Sequence, residues 1–272
     1  MSSFHVDYSA YDGYGVKWLL IGPPGSGKTS LLANLPGSLF VVTAQDTGVM
    51  DLVRNGVVPE VYVAEPVSMF SELIDFNDRL IQEQPDEYLT LCYEGLTSLD
   101  PLCMRYTSDM DFDGDMTRRK FFNYQAGPRA ADGKYWTQLI DQWESLQSLG
   151  YNVVVTGHLK VEDIPNPDGD DFIGYGVDCY ARFFNRTNAA FDTVLFYLPQ
   201  PQVTSDGDYA KGKAKATDRV VLTHLRANVP AKNRYGVDWD IAIPDDPSGA
   251  AGVAAICEAF GLDPETLRRL EE

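Results

Sequence analysis

Short apolar runs alternate along the chain with longer stretches whose apolar residues recur at helical spacing. The runs at 16–21, 39–43, 61–64, 88–93, 152–156, 191–198 and 219–225 are predicted strands. Helical spacing covers 28–35, 67–84, 96–106 and 135–149, and Gly150 stops the last of these helices. Strands separated by helices of this length predict βαβ units, hence an α/β fold on a mainly parallel central sheet flanked by helices. Residues 107–134, 161–188 and 199–218 are expected to be loops. Within the third, SDGDYAKGKAKATD reads as the tip of a mobile β-hairpin. No internal repeat is visible. Residues 1–15 are expected to be an N-terminal arm, 16–244 the core domain, and 245–272 a short helical tail packing on a neighbour.

Composition narrows this picture. With 272 residues and 44% hydrophobic content, the chain can bury one sizeable core. Twenty-two basic against 40 acidic residues give a net charge of −18, which argues against an indiscriminate nucleic-acid surface. A narrow basic channel between subunits remains open. Cys92, Cys103, Cys179 and Cys257 lack metal-site spacing and are expected to be reduced thiols. No apolar run is long enough for a membrane span, and MSSFHVDYSAYDGYG lacks the basic start and apolar centre of a signal peptide. A cytoplasmic location is expected.

The most specific stretch is GPPGSGKT. Gly22, Pro23, Pro24, Gly25, Ser26, Gly27, Lys28 and Thr29 fit G-x-x-x-x-G-K-[ST] in full, with Ser30 next in the following helix. Glycines let backbone N–H groups converge on phosphate oxygens, and the helix offers its positive end to the anion. Lys28 should reach the β- and γ-phosphates and Thr29 should bind magnesium, so ATP and Mg2+ are the expected ligands. A second magnesium-shell group should sit at the end of a neighbouring strand. YLTLCYEGLTSLD supplies Glu94 there, as metal ligand or base, with Asp100 a weaker competitor. LFVVTAQDTG ends in Gln45 and Asp46, either of which could orient the attacking water.

Elsewhere, Asp109, Asp111, Asp113 and Gly114 are spaced like a calcium loop, but Lys120 stands where the bidentate glutamate belongs. A solvated acidic loop is the better reading. His158 ends the run NVVVTGHLK, where it could contact the γ-phosphate or be a satisfied strand-end histidine. The segment after it interleaves Tyr175, Tyr180, Arg182, Phe183, Phe184 and Arg186, a mixture that suits single-stranded DNA, or else partial core. Lys232 and Arg234 in AKNRYG lie two apart before a glycine turn, where they could reach a neighbour's γ-phosphate or simply be solvated.

The ordered set GPPGSGKT, LFVVTAQD, LCYEGLTSLD, NVVVTGHLK, FDTVLFY and AKNRYG resembles the phage-encoded RecA-like ATPases, including the Sak-type single-strand annealing and recombination proteins. The resemblance spans roughly 16–240. It implies a RecA-like P-loop NTPase core, magnesium-dependent hydrolysis at subunit interfaces, single-stranded DNA in central loops, and a ring or filament of identical chains. It also implies a host-cell cytoplasmic setting, with a phage single-strand binding protein as a further partner. The KNR element is similar to the finger motif of replicative hexameric helicases. Glu94 departs from the usual aspartate, and Gln45 stands near an expected glutamate, so slow hydrolysis is expected. Two alternatives stay open: a small-molecule or nucleoside kinase with Arg118, Arg119 and Lys120 as a lid, or a slow-turnover assembly switch.

Overall fold

The computed structural model describes residues 13–44, 46, 48–117, 119–166, 169–200, 203–206, 209–212 and 219–269. Strand β1 (Lys17–Gly22) is buried throughout and lies at the centre of the main sheet. Such strands, covered on both faces, read as continuous apolar runs. Trp18 and Leu20 point into one core layer while Leu19 and Ile21 point into the other. β2 (Ser38–Val42), β4 (Thr90–Glu94), β5 (Asn152–Ile164) and β7 (Thr193–Pro199) are its main parallel companions. The short β3 (Tyr62–Val63), the antiparallel β10 (Arg219–Leu222) and β11 (Ile241–Ile243) complete the order β11-β10-β7-β1-β5-β4-β2-β3. The expected α/β architecture with a mainly parallel sheet is present.

One face carries α3 (Phe70–Glu83), α4 (Leu96–Asp111), α6 (Thr137–Ser148) and α7 (Ala181–Ala190), whose apolar sides meet around Trp136, Trp143 and Phe183. The other carries α1 (Lys28–Ala33), α2 (Gly48–Arg54) and α8 (Ala250–Phe260). The tail helix α8 does not await a neighbour, because Val253, Ile256 and Phe260 are buried in this second layer. Phe260 stacks on Tyr235 with ring centroids 4.3 Å apart. PETLRRLEE is not helical through Arg269: Asp263 accepts hydrogen bonds from the Glu265 N–H and the Thr266 hydroxyl, turning the chain so that Leu262 bridges Arg269.

Two expected loops are largely structured. In 107–134, α4 runs on to Asp111, and Phe121 buries itself beside α5 (Ala126–Ala130), which leads into a π-helical turn at Ala131–Trp136. In 161–188, β5 continues to Ile164 and pairs antiparallel with β6 (Phe172–Val177), after which α7 begins. Of the expected hairpin, β8 (Val203–Asp206) and β9 (Tyr209–Gly212) pair antiparallel, while 207–208 and 213–218 lie outside the described residues. Among the described residues, no helix is long and apolar enough to cross a membrane.

Candidate active site

β1 has parallel strands from different directions on its two sides, β5 and β7. The crevice beyond the carboxyl ends of such strands is where α/β sheets bind ligands. Here it holds a cavity of about 520 Å³ above the loop that joins β1 to α1. Lys28 is buried at its floor, donating hydrogen bonds to the carbonyls of Gly22 (2.8 Å) and Pro23 (3.0 Å). Burial lowers its pKa to about 8, against the opposing pull of Glu94 and Asp46. Gly25 and Gly27 have φ of 74° and 96°, backbone conformations that side chains rarely adopt.

Glu94 ends β4 two strands away, and the Thr29 hydroxyl donates to its Oε1 at 2.5 Å. Only 6% of Glu94 is exposed. Burial raises its pKa to about 7, although the Thr29 hydrogen bond and Lys28 pull the other way. Strands β4 and β5 approach closely here: a Cβ on Gly95 would stand 2.2 Å from the Thr156 hydroxyl. Any side chain at 95 would push Glu94 away from the loop. Thr29 and Glu94 offer hard oxygen donors, which suit magnesium. Among the described residues no group of three or more His, Cys, Asp or Glu could hold a metal by itself. Magnesium characteristically takes its remaining ligands from phosphates and water, so this sparse donor set fits it.

Asp46 lines the same cavity, accepting the Gly48 N–H at 3.1 Å. His158 lines it too, in register with Gly22. Burial and then the nearby Lys28 lower its pKa, favouring neutral imidazole. Its backbone N–H donates to Thr97 Oγ1, and its strand continues directly into the β5–β6 hairpin. Asp100 does not line the cavity; it accepts the Tyr180 N–H where α7 starts. Gln45 and Arg118 lie outside the described residues.

The remaining candidates lie elsewhere. Lys232 pairs through its backbone with Val194, and Arg234 forms a 2.9 Å ion pair with Asp192, beside the start of β7. That is the opposite end of the sheet from Lys28, since β1 and β7 run parallel. Tyr175 stacks near Phe196 and Tyr180 meets Phe183 edge-on, while Phe183 lies flat on Trp136. Arg186 makes two hydrogen bonds to the buried Asp132. Arg182 is exposed. Phe183 therefore serves the core from the buried side of α7, and Tyr180, Phe184 and, from β6, Tyr175 pack against it.

The acidic stretch is neutralised within the chain: Asp109 pairs with Arg105, Asp111 with Lys134, and Asp113 with Lys120. Neither Arg119 nor Lys120 lines the cavity, which leaves the lid without support among the described residues. Sequence reading assigned no role to Thr97, Tyr197, Arg219 or Pro247, all of which line the cavity. Thr97 arrives with Glu94, which lies three residues before it, whereas no local motif marks Tyr197, Arg219 or Pro247 and only long-range strand order brings them there.

Residues 14–235 match a protein-family model described as an AAA domain. A comparison with curated proteins finds no match.

Proposed function

The chain belongs to the AAA domain family, and on that premise we propose that it is a magnesium-dependent ATP hydrolase acting as a homo-oligomer on single-stranded DNA. The observation that carries the hydrolase reading is the Thr29–Glu94 contact, which joins the phosphate loop to a strand-end carboxylate at the cavity floor. The loop N–H groups and Lys28 would hold the phosphates, and Thr29 and Glu94 would hold magnesium. Held there, magnesium would supply positive charge against the negative charge that develops on the phosphates. With Glu94 engaged by Thr29, Asp46 is the carboxylate that orients the attacking water. Neutral His158 can donate to a γ-phosphate oxygen and pass its presence to the hairpin that follows.

Arg234 supports an oligomer. It lies at the far end of β1 from Lys28, six strand residues or roughly 20 Å away. A phosphate it contacts must therefore belong to another subunit. The DNA reading rests on motif order, with Arg182 as the exposed cation on α7 that would face phosphates. The same resemblance supports a place in phage recombination or replication.

Phosphate release from ATP tests this, measured with magnesium or with chelator and with or without a single-stranded oligonucleotide. Magnesium-dependent release that DNA stimulates is expected. Release that DNA leaves unchanged would remove the DNA assignment, and no release at all would remove the hydrolase assignment.

A further inference from the structure

The flank of the cavity opposite Glu94 holds a group that the phosphate chemistry does not use. Glu94 and Asp46 lie toward β4 and β2, on one side of β1. On the other side, β7 and β10 contribute Tyr197 and Arg219 to the cavity wall, and the turn after β11 adds Asp246 and Pro247. Lys28 and Arg219 are the arginine and lysine side chains among the described cavity-lining residues.

Arg219 starts an antiparallel strand, yet its side chain reaches across to the phosphate loop. Its Nε and Nη2 lie 3.7 Å and 3.8 Å from where a Cβ on Gly27 would stand. Its side chain is 17% exposed, and a 3.7 Å ion pair with the half-exposed Asp245 steadies it. The neighbouring turn is also fixed in place. Asp246 accepts the Ser248 and Ala251 N–H groups, and Asn34 of α1 donates to the Ser248 carbonyl and to that of Ser30. The Asp246 carboxylate is thus occupied in holding the turn. Arg219 is left as a planar cation on a wall that also presents Pro247.

Were a triphosphate held by Lys28 with its γ-end toward Glu94, its other end would fall on the flank away from Glu94, where β7 and β10 line the cavity. We infer that Arg219 stacks its guanidinium on the nucleobase of the bound nucleoside triphosphate, beside the Asp246–Pro247 turn. This rests on the reading of the cavity as a nucleotide site. Planar guanidinium stacks on flat π-systems in a way that an ammonium group does not reproduce. A Cβ at Gly27 would meet Arg219 in ordinary van der Waals contact, so the guanidinium lies directly beside the phosphate loop.

Calorimetric titration of magnesium–ATP and of magnesium–tripolyphosphate, which has no base, separates base from phosphate contacts. Arg219→Ala should weaken ATP roughly tenfold, the scale of a desolvated cation–π contact, and leave tripolyphosphate unchanged. Arg219→Lys keeps the charge and the strand, so it guards against misfolding, and it should lose most of the same affinity. Equal losses for both ligands would make Arg219 a phosphate ligand and overturn the stacking assignment, with the phosphate site intact. Full ATP affinity in either variant would overturn it as well. A parent protein that binds neither ligand would overturn the nucleotide site itself.

Discussion

The Thr29 hydroxyl lies 2.5 Å from the Glu94 carboxylate, although 65 residues separate them in the chain. This contact ties the phosphate loop to β4 and sets Glu94 against the hydroxyl proposed to hold magnesium. Glu94→Gln keeps the shape and can still accept from Thr29. It should retain nucleotide while turnover falls roughly a hundredfold or more, as when a preorganised group that stabilises developing charge is lost. Steady-state phosphate release checks this. Equal turnover in variant and parent would move the role to Asp46.

Glu94 also shapes stability. Its pKa rises from the ordinary 4.5 to about 7 on folding, mainly through burial. Below about 4.5 the group is protonated whether folded or not, and it imposes no penalty. Between 4.5 and 7 the folded protein alone retains the proton, so stability falls as pH rises, and above 7 the full penalty is present. That penalty is about 3 kcal/mol. Without magnesium or nucleotide, Glu94→Gln should therefore melt above the parent at pH 8, with the gain shrinking toward pH 5. A constant difference across that range, or a lower melting temperature at pH 8, would show that the buried charge is not the cause.

Much of the site was legible because its parts are local. The phosphate loop has fixed spacing, and Glu94 ends an apolar run that reads as a strand of the same sheet. Arg219 was not legible, because nothing near it in sequence says that β10 lies next to β7, or that its side chain crosses to Gly27. The stretch 161–188 misled for a different reason. Aromatics alternating with arginines suit a DNA loop and an amphipathic helix equally, and burial of Phe183 against Trp136 decides for the helix. Helix α2 was missed because its face is mostly exposed, with Val49 its one buried residue, so it carries little apolar periodicity. β11 is three residues long, too short to show alternation.

Arg234 should behave as a residue supplied to a neighbour. Arg234→Ala should bind ATP normally and lose roughly a thousandfold in hydrolysis, as when an arginine finger is removed. Lys28→Ala should be inactive through loss of its own pocket. Mixing the two should restore part of the activity wherever an intact pocket meets an intact Arg234. Mixed oligomers with no activity, or a fully active Arg234→Ala, would confine Arg234 to its ion pair with Asp192.

Arg182 and Arg186 should separate. Arg182→Ala should weaken binding of a single-stranded oligonucleotide and reduce its dependence on salt, since phosphate contacts release counterions. Arg186→Ala leaves the buried Asp132 unpaired and should lower stability by about 2 kcal/mol. Denaturant titration and fluorescence anisotropy on both variants distinguish these outcomes. An Arg186 variant of parental stability that loses DNA binding would reverse the assignment.

The most direct measurement is a calorimetric titration of magnesium–ATP into the parent and into Lys28→Ala. Lys28 meets the loop carbonyls of Gly22 and Pro23 and, among the described residues, makes no hydrogen bond beyond that loop, so the variant should keep its fold. The parent should bind a single nucleotide per chain, and Lys28→Ala should show no heat of binding at the same concentrations. Equal affinity in the two proteins would contradict the assignment of this cavity to nucleotide phosphates.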